Sequence, residues 1–185
     1  MAVNALVLYE SWFGNTRRIA EEVTAGLVDE DVAALAMAVD DCAATDLREV
    51  GLVVVGAPTH THGLPTPRSR AEARRWSQSP ANRVDLEADT SRPGVREWLD
   101  RVPDLVHPRF AAFETRADLA PLFGASSARR IARSLISHGW EQLTPPASFI
   151  MPSHGLTLAD GGEEEARSWG SRLGLAFRLE LDAVH

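Results

Sequence analysis

The segment Ser11-Trp12-Phe13-Gly14-Asn15-Thr16 stands between the apolar run Ala5–Tyr9 and a stretch that continues with helical spacing. A loop that enters a helix in this way presents backbone N–H groups and the positive end of the helix dipole, which together attract an anion. The hydroxyls of Ser11 and Thr16 can add hydrogen bonds to phosphate oxygens, so no basic residue is needed inside the loop. The spacing is not that of a nucleoside triphosphatase, which needs G-x-x-x-x-G-K-[ST], nor of a simple dinucleotide fold, which needs G-x-G-x-x-G. The plainer alternative is that Ser11 or Asn15 only caps a helix. A second set of chemistry-bearing residues, Pro58-Thr59-His60-Thr61-His62-Gly63, follows another apolar run. The imidazoles of His60 and His62 titrate near neutrality and can give or take a proton. As metal ligands they would need a third group, for which His154 is the candidate; two histidines alone do not make a zinc site, and no metal is expected.

Both loops require rigid elements behind them. Ala5–Tyr9 has the continuous apolar character of a central parallel strand covered on both faces. From Asn15 the period changes: Ile19, Val23, Gly26 and Leu27 form one stripe of an amphipathic helix. Val32–Val39 reads as a second strand and Gly51–Pro58 as a third, with Val53, Val54 and Val55 β-branched. A short helix can start after Pro67. The polar stretch from Ser77 to Gly94 reads as a long surface loop. Val95, Trp98, Leu99 and Val102 have helical spacing, Arg109–Phe113 is a fourth strand, and Ser127–His138 is a helix with Ile131, Leu135 and Ile136 inward. Ala147–Met151 is a fifth strand, and a last helix after Asp160 buries Trp169, Leu173 and Phe177. Trp76, Trp98 and Trp140 also fall where core residues are expected. Strands alternating with helices predict one doubly wound α/β domain over residues 1–185, whose ligand site lies beyond the carboxyl ends of the strands.

Composition narrows the partners. The formal charge is −7, and the 19 basic residues are all arginine, leaving no lysine-rich patch for duplex nucleic acid or an anionic membrane. Up to Leu64 there are 3 basic and 10 acidic residues, whereas Pro65–Pro103 holds 8 and 6, so the acidic character sits in the first third. A single cysteine, Cys42, favours a reducing compartment. No basic leader precedes the first apolar run and no run approaches the roughly 18 residues of a membrane span, so a cytoplasmic protein is expected. A phospho-receiver domain is excluded, because its chemistry needs a lysine on the fifth strand.

Ser11–Thr16 after a buried strand, followed by "GAPTHTHG" after the third, resembles the flavodoxin-like family, whose phosphate loop follows [ST]-x-[TSF]-G-[NST]-T. Within that family the chain is similar to a group of bacterial proteins that carry segments like "GVREWLD", "FAAFETR", "ARRIARSL" and "GGEEEARSWG" in the same order, over Leu6 to about Leu175. The resemblance implies a three-layer sandwich with a five-stranded parallel sheet in the order 2-1-3-4-5 and bound flavin mononucleotide (FMN). It implies that Ser11, Trp12, Phe13, Gly14, Asn15 and Thr16 wrap the flavin phosphate. Pro58, Thr59, His60, Thr61, His62 and Gly63 would flank the isoalloxazine, as would Glu114, Thr115 and Arg116 after strand four. An imidazole of His60 or His62 near flavin N5 would then be placed to deliver a proton during reduction.

Three features depart from the family pattern. Phe13 replaces a hydroxyl donor, the loop after strand four, "ETRADLAPLFG", contains no Trp or Tyr, and Leu156 stands where related chains often have Pro. Stacking on the ring then falls to Trp12, to His60 or to a partner chain, a homodimer included. The resemblance implies electron transfer to a redox partner protein or small-molecule acceptor. Carrier use is favoured narrowly, over an NAD(P)H:quinone-type reductase and over a module that has lost its flavin.

Overall fold

In the computed structural model of the 185-residue chain, β1 (Ala5–Tyr9) is the central strand, paired in parallel with β2 (Ala34–Ala38) and β3 (Leu52–Pro58). The structure describes residues 4–42, 47, 50–59, 63–79, 85–87, 91–102, 109–118, 126–152 and 158–183. Beyond β3 lies β4 (Arg109–Ala117), and its far edge is shared by β5 (Glu141–Gln142) and β6 (Ala147–Met151). All these pairings are parallel, which gives the order 2-1-3-4-5 expected from the resemblance, with the fifth place divided between two strands. The single fifth strand read from the sequence is thus corrected to two. Leu143 still donates its N–H to Phe110 O at 2.8 Å, but Pro145 and Pro146 have no N–H to continue the ladder until Ala147.

Helix α1 (Asn15–Asp29) and helix α5 (Gly162–Ala183) cover one face of the sheet. Helices α3 (Val95–Leu99) and α4 (Ser127–Ser137) cover the other, with α2 (Pro67–Ser77) beside them. Side chains alternate between the two cores: Val7, Val54, Ala111 and Phe113 face α1 and α5, whereas Leu8, Val53, Val55 and Ala112 face α3 and α4. The predicted stripe of α1 is fully buried at Ile19, Val23 and Leu27, and Trp169, Leu173 and Phe177 are buried as expected on α5. Two expectations fail. Ile136 is 52% exposed because Ile131 and Leu135 define the buried stripe of α4 and Ile136 lies one step round it. Trp76 is 41% exposed, near the end of a helix whose buried residues are Arg70 and Ala73.

Strand β4 outlasts its apolar sequence by four residues, because Glu114 and Thr115 are buried against polar partners rather than solvated. Among the described residues no helix is long and apolar enough to cross a membrane.

Candidate functional site

The site is built at the carboxyl end of β1. Gly14 is the N-cap of α1 and adopts φ +88°, a left-handed conformation that favours glycine. A Cβ there would also overlap the Glu87 carboxyl, which packs directly against it. Having no side chain, Gly14 itself offers no cap to the first turn. Ser11 is buried, and its Oγ has no hydrogen-bond partner. A buried hydroxyl left unpaired costs about 1–3 kcal/mol, so its presence beside a helix N-terminus points to a missing acceptor. The capping role considered for Ser11 is not what the geometry shows, since Gly14 is the cap residue and the Ser11 hydroxyl bonds to none of the helix N–H groups.

The loop is held from both sides. Thr16 Oγ1 lies 2.8 Å from Thr115 Oγ1 on β4, and Asn15 Nδ2 lies 3.1 Å from Met151 Sδ on β6. Trp12 is buried with its indole N–H directed to Glu10 Oε1 at 3.0 Å, so in this conformation it offers no free face for ring stacking. Phe13 meets Trp76 edge to face at 5.6 Å, forming an aromatic pair on the outside of the loop.

The loop's support includes residues that sequence reasoning passed over. Glu10 accepts from Arg70 Nε at 2.8 Å and from Val95 N–H at 2.9 Å. Arg70 in turn reaches Glu97 through Nη1 at 3.1 Å and Nη2 at 2.7 Å, while Glu97 accepts from Gly94 N–H at 2.9 Å. Burial disfavours the Arg70 cation, but its hydrogen bonds to Glu97 and Glu10 outweigh this and raise its pKa. Burial likewise works against the Glu97 carboxylate, and the Arg70 and Gly94 hydrogen bonds prevail and lower its pKa. A charged residue at Glu10, directly before the loop, and an arginine inside the α2 pattern were the available signals.

On the outer side, Glu87 N–H donates to Trp12 O at 2.9 Å, and its carboxylate takes two 3.0 Å bonds from Arg17. Those bonds hold the Glu87 pKa below the ordinary range. Arg92 pairs with Asp40 at 2.5 Å and Asp41 at 2.9 Å, just beyond β2. The described parts of the predicted 77–94 loop therefore dock on the β2 side of the phosphate loop. Between them and the strand ends lies a cavity of about 490 Å³. Burial, followed by the Glu21 charge, raises the pKa of the Tyr9 phenol on its wall.

The loops after β3 and β4 meet as the topology requires. Pro58 ends β3, and Thr59 N–H donates to Thr115 O at 2.8 Å. Glu114 is 2% exposed and accepts from Thr59 Oγ1 at 2.5 Å, Ser148 Oγ at 2.8 Å and Ala128 N–H at 3.3 Å. Thr115 is buried on the opposite face, against Thr16. Arg116 is partly exposed, 3.9 Å from Glu114 Oε1. Gly63 has φ +102° with open space where a Cβ would stand. His60, Thr61 and His62, like His154 and Leu156, lie outside the described residues. Among the described residues no cluster of three or more His, Cys, Asp or Glu could hold a metal.

Residues 7–96, which span β1, the phosphate loop, β2, β3 and the start of α3, match the sequence model of the flavodoxin family. The matched stretch is just under half of the chain, and the fold is flavodoxin-like throughout. The protein's fold is similar to that of a flavodoxin from the domain Archaea, with a TM-score of 0.64 and 17% identity, covering 94% of this chain and 98% of that one. Flavodoxin 2 from Bacillus cereus is similar at a TM-score of 0.61 and 16% identity, covering 96% and 99%. A flavodoxin, WrbA-like protein from Agrobacterium tumefaciens is similar at 0.58 and 20% identity, covering 96% and 98%. At these identities the structural likeness speaks for the fold of the flavodoxin-like chain, not its partner. No curated protein matches its sequence.

Proposed function

We propose that this protein binds FMN and transfers electrons through it to a redox partner. The observation that carries the proposal is the buried, unpartnered Ser11 hydroxyl beside a helix N-terminus whose cap residue, Gly14, has no side chain. This combination fits a terminal phosphate: an anion would satisfy the hydroxyl and the first-turn amides together and gain from the helix dipole. Ser11 and the amides of Gly14, Asn15 and Thr16 would hold the phosphate, and Thr115 fixes Thr16 in place. Thr59 and Gly63, with Pro58, His60, Thr61 and His62, would flank the ring on one side, and the end of β4 would border it on the other. Glu114 orients Thr59, and Arg116 stands at the edge of this region. His60 and His62 would hold or pass a proton at flavin N5. FMN, when bound, supplies the capacity to accept and release electrons one or two at a time.

The described parts of the 77–94 segment favour the carrier over the reductase. Glu87 is tied to the phosphate loop and the first turn of α1, and Arg92 to Asp40 and Asp41 beyond β2, so these parts would leave a ring between the loops after β3 and β4 uncovered. An acidic first third suits docking of a basic redox protein. A single cysteine suits a reducing compartment such as the cytoplasm. Calorimetric titration with FMN tests the binding, and stepwise photoreduction tests the use. A carrier takes its electrons in two resolved steps; reduction in one step by a nicotinamide nucleotide would establish the reductase instead.

A further inference from the structure

The carboxyl end of this sheet has two halves. The proposed flavin lies over β1, β3 and β4, whereas the 490 Å³ cavity lies over β1 and β2, on the other side of the phosphate loop. That volume falls within the roughly 300–1,000 Å³ of small-molecule sites. Its wall includes Ser11, with its unpartnered hydroxyl, Arg17 from the first turn of α1, Asp40 and Asp41, and Arg92 facing them. Glu10 and Arg70, also on the wall, are paired with each other.

In doubly wound dinucleotide-binding folds, which carry a glycine-rich fingerprint that this chain lacks, an acidic residue roughly 20 residues beyond the β1 phosphate loop hydrogen-bonds the ribose 2′-hydroxyl. Asp40 occupies that place two residues after β2 ends at Ala38. Its side chain is 15% exposed, against 58% for Asp41, so a hydrogen bond to it is better shielded from water. Arg92 Nε meets Asp40 Oδ2, and a carboxylate can accept a further hydrogen bond from a hydroxyl. The charges of Asp40, Asp41 and Glu87 against Arg17 and Arg92 leave the wall slightly negative. A phosphate would be repelled there, whereas a neutral sugar and base would not, and the phosphates can stay at the loop, near Arg17 and the helix N-terminus.

We propose that this cavity takes the adenosine end of FAD, with the ribose on Asp40, so that the protein accepts FAD as well as FMN. The inference rests on the flavin reading and adds to it the β1–β2 half of the sheet.

Calorimetric titration of the full chain with FMN and with FAD, for wild type, Asp40→Asn and Ala38→Phe, tests the proposal. Wild type is expected to bind FAD within about threefold of FMN or more tightly. Asp40→Asn should weaken FAD by about tenfold or more, the loss of a hydrogen bond to a charged group, and leave FMN within twofold. Ala38→Phe places a ring in the cavity wall and should exclude FAD while retaining FMN, which keeps the test decisive if Asp40→Asn folds poorly. FMN binding with FAD tenfold weaker in wild type, or equal losses for both flavins in the variants, would overturn this proposal alone. Binding of neither flavin would overturn the flavin reading and this proposal together.

Discussion

At the residue scale the account turns on Ser11, whose hydroxyl is buried beside the start of α1 with nothing to pair with. Ser11→Ala would remove the proposed phosphate ligand and an unsatisfied polar group at once. Its FMN affinity should fall by about tenfold or more, while its thermal midpoint without ligand stays level or rises slightly. A lowered midpoint with unchanged affinity would assign Ser11 to the fold instead. Gly14→Ala acts differently: it forces a side chain into a left-handed position and against the Glu87 carboxyl. It should destabilise the chain by roughly 1–3 kcal/mol, read from urea unfolding. Adding Glu87→Ala should relieve the overlap without relieving the backbone strain. The place of the loop was legible because hydroxyls, glycine and asparagine between a strand and a helix are local signals. Trp12 was not, since its direction depends on Glu10, and Glu10 is placed by Arg70, 60 residues away.

Elements are held by contacts of that long range. Arg70 is buried between Glu10 and the partly exposed Glu97, so Arg70→Met strands the buried Glu10 carboxyl and should cost about 3 kcal/mol in urea unfolding. The loss should loosen α2 and α3 together, because Glu97 and Glu10 also hold the N–H groups of Gly94 and Val95. Glu97 gives this network a pH dependence of fixed sign. Its pKa is lower folded than unfolded, so its contribution is complete above the unfolded value of about 4.3 and is lost as pH falls through the folded one. Glu97→Gln should therefore be less stable than wild type near neutrality, with a shallower fall in urea midpoint on acidification. Helices α1 and α5 cross where a Cβ at Gly26 would overlap Arg167 O and one at Gly170 would overlap Val23 O. Alanine at either should part the helices and lower the thermal midpoint by several degrees. Element order and the α1 stripe were legible from periodicity. The division of the fifth strand and the length of β4 were less so, because one depends on two prolines interrupting a ladder and the other on polar side chains finding buried partners.

For the whole molecule, the order 2-1-3-4-5 brings the loops after β1, β3 and β4 together, and Thr16–Thr115 and Thr59–Glu114 fasten them to one another. Doubly wound topology was readable from alternating strands and helices, and its strand order followed from resemblance rather than from any residue count. Where the 77–94 segment would dock was not legible, since Glu87 and Arg92 meet their partners only through the tertiary fold. The claim on which the account depends is that these loops hold a flavin by its phosphate. The most direct measurement is the visible spectrum of purified protein mixed with FMN and passed through gel filtration. The account predicts that the paired absorption bands of oxidised flavin travel with the protein at about one flavin per chain. A colourless protein peak that also leaves the fluorescence of added FMN unquenched would contradict it.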